Sequence, residues 1–194
     1  DVLDAVSFGT HEPPNTGDAD DASATGIVPR DERYYARVAS AARSLARDAQ
    51  ADMRIASPVF WYTGHNDHPV TPPRDGDFSL GGCVVWNAPC LSHNVKVCMN
   101  VGMLGLGELA AHGHADALAF TLHVDDQPVF IDPGTYAYHT EPRWRDYFRG
   151  TRAHNTVVIN GKDQAKMCGP FMWESGYTTY VRHAIASDDQ LDVV

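Results

Sequence analysis

Long apolar runs are missing from the sequence, which argues against a membrane-spanning helix, since such a helix needs about 20 consecutive apolar residues. A basic stretch followed by an apolar one, typical of a signal peptide, is also missing at the start. The chain begins with Asp1 rather than with methionine, so we expect a mature or excised piece of a longer protein. Its 194 residues, 43% hydrophobic and 21% charged, suffice for one globular domain, or for one domain and part of another.

Closely spaced cysteines and an excess of positive charge are absent as well. The four cysteines show no CxxC spacing, which argues against a thiolate zinc site, and they are compatible with free thiols or with disulfides. The net charge of −10 argues against nonspecific binding to nucleic acid or to an anionic membrane. An acidic ligand is not excluded, because four arginines form a local basic cluster: Arg143, Arg145, Arg149 and Arg152.

The first 70 residues contain loops and one clear helical pattern. Residues 11–21 are rich in proline and aspartate but have no glycine or distal glutamate at the positions that an EF-hand requires, so we expect a solvated acidic loop rather than a calcium site. Residues 31–49 carry apolar side chains at helical spacing, which predicts a helix. Residues 65–73 hold two histidines and three prolines and are typical of a linker, so a domain boundary is expected near residue 70.

The remainder of the chain is predicted to be mainly β. Apolar and polar residues alternate in several short segments separated by turn residues, which favours antiparallel strands packed on one face. Tight turns are expected at Asp125-Asp126 and at Asn160-Gly161. An antiparallel β-sandwich is the most economical architecture. The expected strands are residues 82–86, 94–101, 117–124, 128–131, 156–159 and 177–186.

Three side chains with metal-binding chemistry stand at the borders of these strands, namely His114, Asp132 and His154. Two imidazoles and one carboxylate are the ligand type and number of a zinc site with an open position. The set suits zinc better than calcium, because imidazole is a good ligand for borderline metals. The spacing alone leaves a second interpretation open, in which these are hydrogen-bonded structural residues.

The order of the strands restricts how such a site is built. If a tight turn joins the third and fourth strands, Asp132 lies opposite residues 119–120. His114 would then be several residues too far along its strand, so the loop 112–116 must curl back. Gly113 permits such a bend.

Other histidine-based metal sites fit the sequence less well. A metallohydrolase of the HxHxDH kind would use His112, His114 and Asp116, but Ala117 stands where its next histidine is required. A cupin-type site needs a glutamate a few residues after the HxH pair, and none occurs before Glu141.

The segment between Asp132 and His154 combines tyrosines with the arginine cluster. One interpretation is a solvated loop with aromatic packing. The other is a cleft for an anionic sugar, because arginine binds carboxylate or sulfate in bidentate fashion and aromatic faces stack on pyranose rings. The residues expected to bind substrate in that case are Tyr136, Tyr138, Arg143, Tyr147 and Arg149.

Three ordered blocks, residues 112–120, 130–138 and 153–157, resemble the heparinase II/III-like family of polysaccharide lyases. The resemblance covers residues 75–194, and residues 17–21 with the following helix resemble the end of the family's α/α-toroid domain, though less closely. It implies a domain division into residues 1–70, the toroid tail plus linker, and residues 71–194, the β-sandwich.

The resemblance also implies an activity, namely cleavage of an acidic, uronate-containing polysaccharide by β-elimination. It implies a zinc ion bound by His114, Asp132 and His154, and a catalytic, substrate-facing role for His112. The family's tyrosine and Asn/His pair belong to the toroid upstream, so this piece is expected to need that domain as its partner and to be inactive without it. A periplasmic or secreted bacterial location is implied. The alternative is a non-catalytic carbohydrate-binding or structural β-sandwich with a stabilising metal.

Overall fold

The computed structural model of the protein describes residues 17–18, 76–78, 81–187 and 190–194. The chain divides into two units by its contacts, and all described residues belong to the unit made of Pro14–Ala19 and Asp75–Val194. The predicted helix at residues 31–49 and the predicted linker at residues 65–73 lie outside the described residues. None of the helices in the described part of the chain is long and apolar enough to cross a membrane.

A five-stranded antiparallel sheet forms the main layer, and its strands follow one another in chain order. The centre of the sheet is apolar, because Val84, Val85 and Ala88 of the second strand and Cys98 of the third are all buried. The strands are β1 (Gly76–Phe78), β2 (Cys83–Cys90), β3 (His93–Asn100), β4 (Phe120–Val124) and β5 (Gln127–Phe130).

Two hairpin turns follow directly from the sequence. Asp125 and Asp126 connect β4 to β5 with φ angles of 48° and 62°. Asn160 and Gly161 have φ angles of 53° and 69° and join two bridged residues on either side. Positive φ at both central residues defines the turn that suits the right-handed twist of a hairpin, and Asp, Asn and Gly tolerate it best. Both predicted turns are confirmed.

A short helix and four further strands follow the sheet. The helix α1 (Pro142–Arg149) starts with a proline in its first turn, where the missing N–H leaves no intrahelical hydrogen bond unmade. A single 3₁₀ turn at Thr151–Ala153 follows it. The remaining elements are α1 (Pro142–Arg149), β6 (Lys166–Cys168), β7 (Met172–Ser175), β8 (Ala184–Ala186) and β9 (Leu191–Val193), in which β6 pairs with β7 and β8 with β9.

The predicted fold class, mainly β with antiparallel sheets, is confirmed. The first four predicted strands correspond to β2 to β5 with shifted ends. Residues 156–159 form only an isolated bridge at Ile159, and residues 177–186 contain only the short strand β8. The helix α1 was not predicted, because that segment was interpreted as a loop.

A small core supports the loop that carries the two neighbouring histidines. Leu104, Ala115 and Trp173 are buried together, with further apolar residues around them. The indole Nε1 of Trp173 donates a hydrogen bond to the carbonyl oxygen of Gly113 at 2.9 Å. The core therefore fixes the main chain between the two histidines.

Candidate functional site

The structure brings His114, Asp132 and His154 together. One ligand atom from each lies within 4.8 Å of the others, and the two imidazole centroids are 5.3 Å apart. Both histidine side chains are fully buried and the aspartate nearly so. The register that pairs Leu122 with Phe130 carries Asp132 to a position opposite the start of β4, as the strand order predicted.

The hydrogen bonds of the two histidines differ in kind. His114 Nε2 lies 3.1 Å from Asp18 Oδ1, outside the group. Its Nδ1 is buried, has no hydrogen-bond partner among the described residues, and so keeps a lone pair for a metal. His154 Nδ1 lies 2.8 Å from Asp132 Oδ2, inside the group, so a metal shared by these two residues would bind between those two atoms. The group therefore fits a divalent metal bound by two imidazoles and a carboxylate.

Asp116 lies beside this group without belonging to it. Its carboxylate is buried and accepts a hydrogen bond from the Tyr177 hydroxyl at 3.2 Å. Burial raises the pKa of Asp116, and the neighbouring carboxylate of Asp132 adds to the rise, while the nearby His154 and His114 oppose it. The pKa of His154 rises above its ordinary value: burial lowers it, but the hydrogen bond and charge of Asp132 outweigh burial.

A buried carboxylate that the sequence analysis did not single out, Asp18, lies next to the group. Its side chain is 2% exposed, and both of its oxygens are bonded by the guanidinium of Arg145, Nη2 to Oδ2 at 2.7 Å. The same carboxylate contacts His112 and His114. Burial alone raises the pKa of Asp18, but the hydrogen bond from His114 and the hydrogen bonds and charge of Arg145 lower it to about 2. The sequence pattern places Asp18 in a solvated loop, and its burial corrects that expectation. The sequence feature that pointed to this segment is the resemblance of residues 17–21 to the end of the toroid domain.

Arg145 is itself buried, 1% exposed, although it belongs to the predicted basic cluster. Its Nε donates to the carbonyl oxygen of Pro170 at 2.9 Å. The guanidinium carbon lies 5.4 Å from the ring centroid of Tyr138 and 5.5 Å from that of Phe171. These contacts desolvate a planar cation that forms a bidentate pair with Asp18. Arg145 therefore balances an interior charge.

His112 is exposed where His114 is buried. Its side chain is 60% exposed, its Nδ1 lies 3.0 Å from Asp18 Oδ2, and its ring packs 5.4 Å from that of Phe171. Its φ angle is 61°, a left-handed conformation that is uncommon for a residue other than glycine. The main-chain N–H donates to the Phe171 carbonyl oxygen and the carbonyl accepts from the Asp18 N–H, both at 2.9 Å. These bonds hold the conformation, which turns the two neighbouring imidazoles to opposite environments.

The role expected of Gly113 needs a correction. Gly113 does not have a positive φ; the bend is made at His112 and at Leu118, whose φ angles are 61° and 60°. A Cβ on Gly113 would lie 2.5 Å from the main-chain nitrogen of Gly105. Glycine is therefore required because another main chain passes against it, and not because it frees the backbone.

The predicted substrate-binding residues divide into two groups. Tyr136, Arg143 and Tyr147 are exposed, and Tyr138 is half-buried under Arg145. Arg149 is 1% exposed, and this corrects the expectation that it faces a ligand.

The contacts of Arg149 explain its burial. Its guanidinium lies 4.9 Å from the ring centroid of Trp173 and donates to the carbonyl oxygens of Gly169 and Met172 and to Asp146. All of these partners are protein groups, so Arg149 stabilises the packing of α1 against the segment that leads into β7.

An exposed aromatic surface adjoins α1. Tyr136 stacks on Phe148 with centroids 5.1 Å apart, and Trp144 and Tyr147 meet edge to face at 5.8 Å. Trp144 is 43% exposed and has Arg143 over its ring at 5.9 Å. It was not among the predicted substrate-binding residues, although the aromatic criterion applied to the tyrosines would have included it.

Comparison with known proteins identifies the family. A family model described as heparinase II/III-like, C-terminal, matches residues 70–193. The chain belongs to the heparinase II/III-like family. The resemblance drawn from the three motif blocks is confirmed, and it starts slightly earlier than residue 75. No curated protein sequence matches the chain significantly.

Solved structures share this fold. The heparinase III-BT4657 gene product has a TM-score of 0.62 at 17% identity, over 98% of this chain and 26% of that one. Heparan sulfate lyase HepC from Pedobacter heparinus has a TM-score of 0.51 at 17% identity, over 82% and 23% of the two chains. This chain therefore spans about a quarter of the length of the structures that it matches.

Proposed function

We propose that this chain is the C-terminal β-sandwich portion of a polysaccharide lyase that cleaves an acidic, uronate-containing polysaccharide by β-elimination. Membership of the heparinase II/III-like family supports the reaction class. The observation that carries the proposal is His112: its imidazole is exposed, while a buried carboxylate holds its Nδ1. An oriented imidazole with one nitrogen facing solvent is suited to proton transfer with a bound ligand.

The reaction requires two proton transfers. A base removes the proton from the carbon next to the uronate carboxylate, and the electron pair of that C–H bond forms a carbon–carbon double bond. The glycosidic carbon–oxygen bond then breaks, and the leaving oxygen takes up a proton. We assign one of these transfers to Nε2 of His112, and the other to residues of the upstream toroid domain.

We propose zinc as the metal of the His114, Asp132 and His154 group. The two imidazoles and the carboxylate, with one donor atom of each within 4.8 Å of the others, support this choice. When bound, zinc would link the loop before β4 to the segments after β5 and after the 3₁₀ turn, and so brace the loop that presents His112. The metal is thus given a supporting role.

The exposed aromatic surface that adjoins α1 is proposed to bind the sugar chain. Tyr136, Tyr147 and Trp144 offer flat apolar faces, and Arg143 offers a cation for a carboxylate or sulfate group. Tyr138 lies beside Phe171, next to the imidazole of His112. The toroid domain is proposed to form the other wall, in a periplasmic or secreted bacterial enzyme.

The test is an elimination assay on the complete protein that contains this chain, incubated with uronate polymers. We expect products with the ultraviolet absorbance of an unsaturated uronate. His112→Ala is expected to lower kcat by about 10²- to 10⁴-fold, the usual contribution of a general acid or base. The matched control is His93→Ala, which removes another exposed histidine whose Nδ1 also binds an aspartate, at the turn between β2 and β3.

Two results would contradict the proposal. Cleavage that consumes water and yields no unsaturated product would exclude a lyase. Full turnover by the His112→Ala variant, with sugar still bound, would favour the alternative of a non-catalytic carbohydrate-binding or structural β-sandwich.

A further inference from the structure

We propose that Asp18 is a positioning residue that fixes the imidazoles of His112 and His114 in opposite tautomers. His112 then exposes a lone pair to solvent, and His114 directs one to the proposed metal site. This inference rests on the proposed function for the role of His112. The tautomer assignment itself rests only on hydrogen-bond geometry.

The carboxylate of Asp18 is shared by Arg145 and two histidines, and the Thr135 hydroxyl lies 3.5 Å from Oδ1. Oδ1 accepts from Nη1 of Arg145 and lies 3.1 Å from Nε2 of His114. Oδ2 accepts from Nη2 of Arg145 at 2.7 Å and lies 3.0 Å from Nδ1 of His112. An ionised carboxylate is an acceptor only, so each histidine nitrogen that bonds to it must carry the hydrogen. His112 is therefore the Nδ1–H tautomer and His114 the Nε2–H tautomer.

The nitrogens that carry no hydrogen face the proposed metal site in His114 and solvent in His112. For His114 that nitrogen is Nδ1, which is buried and has no partner among the described residues. For His112 it is Nε2, on a side chain that is 60% exposed. The tautomer of His114 follows from its bond to Asp18 alone, and the unpartnered Nδ1 beside the other candidate metal ligands is a separate observation that agrees with it.

Arg145 makes the arrangement possible. A lone carboxylate in the interior would draw protons onto its neighbours, and a doubly protonated imidazole has no lone pair for a metal. The bidentate guanidinium neutralises Asp18, and each oxygen still accepts from one histidine, with the Thr135 hydroxyl as a longer contact of Oδ1 at 3.5 Å.

The main chain aligns Asp18 as well. Its N–H donates to the carbonyl oxygen of His112 at 2.9 Å, so Asp18 contacts His112 through both main chain and side chain. Gly17, just before it, has a φ angle of 65°, and a Cβ there would lie 3.0 Å from the same carbonyl oxygen. The short Gly17-Asp18 segment is therefore fitted to the loop of His112, although 94 residues separate Asp18 from His112.

The first experiment reads the tautomers directly in the wild-type protein. Histidine ¹⁵N chemical shifts are measured without metal at about pH 8, where an ordinary imidazole is neutral. We expect Nδ1–H for His112 and Nε2–H for His114. The opposite tautomer at either residue, or a rapid mixture at both, overturns the proposal. Because no turnover is measured, this result is separate from the fate of the lyase assignment.

The second experiment uses Asp18→Asn, which keeps the shape but offers one acceptor oxygen and one donor nitrogen. Only one of the two histidines can then keep its donated hydrogen bond, so at least one must change tautomer or lose its orientation. We expect zinc affinity to fall about 10- to 100-fold, as for other residues that orient metal ligands. Asp146→Asn is the matched control, since Asp146 bonds a buried arginine, Arg149, and no described histidine.

The outcomes separate a positioning role from a purely structural one. If Asp18 only neutralises Arg145, Asp18→Asn will lose stability while the ¹⁵N shifts and zinc affinity stay those of wild type, and the proposal fails. If the variant does not fold, the wild-type shifts decide alone. Lyase activity together with the wrong tautomers would leave the proposed function standing and reject this inference.

Discussion

Replacing Arg145 with methionine is expected to destabilise the protein by about 3–5 kcal/mol, because it removes one partner of a buried ion pair. Methionine fills much of the volume of the arginine stem, so the main loss is electrostatic. The carboxylate of Asp18, 2% exposed, would remain in the interior with its two histidine contacts and the Thr135 hydroxyl at 3.5 Å, and with no cation paired to it. The carbonyl oxygen of Pro170 would also lose the hydrogen bond from Nε.

A second route to the magnitude starts from protonation. The alternative to an unpaired charge is that Asp18 takes up a proton, and the ordinary pKa of its carboxyl is 3.8. Holding such a group neutral at pH 7 costs about 4 kcal/mol, since each pH unit corresponds to about 1.4 kcal/mol. The two routes agree. The loss is large beside a typical unfolding free energy of about 5–15 kcal/mol.

The assay is urea unfolding of the protein at neutral pH with a chelator present, so that metal binding does not contribute. Arg143→Met is the control on the same helix; its side chain is exposed, and a change within about 0.5 kcal/mol is expected. The double variant with Asp18→Asn should recover about 2 kcal/mol or more over Arg145→Met, because no unpaired charge remains. A loss below about 1 kcal/mol in Arg145→Met, or no recovery in the double variant, would refute the reasoning.

Three further predictions concern the metal, a close main-chain contact and an exposed ion pair. Zinc at a hundredfold excess over its Kd should stabilise the wild type by about 2.7 kcal/mol and leave the melting temperature of His154→Ala unchanged; equal shifts in both would reject the ligand set. Gly113→Ala should lose about 3 kcal/mol in urea unfolding, since its Cβ would meet main chain at 2.5 Å, whereas Gly107→Ala, with positive φ but open space, should lose only about 1 kcal/mol. A hydrogen bond from His93 lowers the pKa of Asp125 below 3.8, so an NMR titration of the carboxyl carbon should shift to higher pH in His93→Ala, which has no side-chain donor. An unshifted titration would show that the hydrogen bond does not form in solution.

Local sequence was enough for the parts of the fold that local geometry decides. The hairpin at Asp125-Asp126 and the turn at Asn160-Gly161 need residues that tolerate positive φ, and those residues are visible in the sequence. The position of Asp132 opposite the start of β4 follows from the hairpin at Asp125-Asp126 and from the two-residue period of strands. The family motifs supplied the choice among the remaining histidines.

Elements held by distant partners were missed. The aromatic stripe of α1, formed by Trp144, Tyr147 and Phe148, is not its buried face. The side chains that it buries are Arg145 and Arg149, and their partners are an aspartate 127 residues away and carbonyl groups up to 25 residues away. Hydrophobic periodicity does not reveal that a helix buries its cations. The burial of Asp18 is not predictable for the same reason. The composition of residues 11–21 suits a solvated loop, and only tertiary contacts remove this side chain from water.

The two main-chain hydrogen bonds of His112 have a consequence for how a sugar would bind. Its N–H is tied to Phe171 and its carbonyl to Asp18, so the ring is in position before any ligand arrives. A loop that orders only on binding subtracts about 0.5–1.5 kcal/mol from affinity for each side chain that it immobilises. This preorganised loop avoids that penalty. Sugar binding at the loop of His112 should therefore show a small heat-capacity change, unlike the large one that accompanies folding on binding.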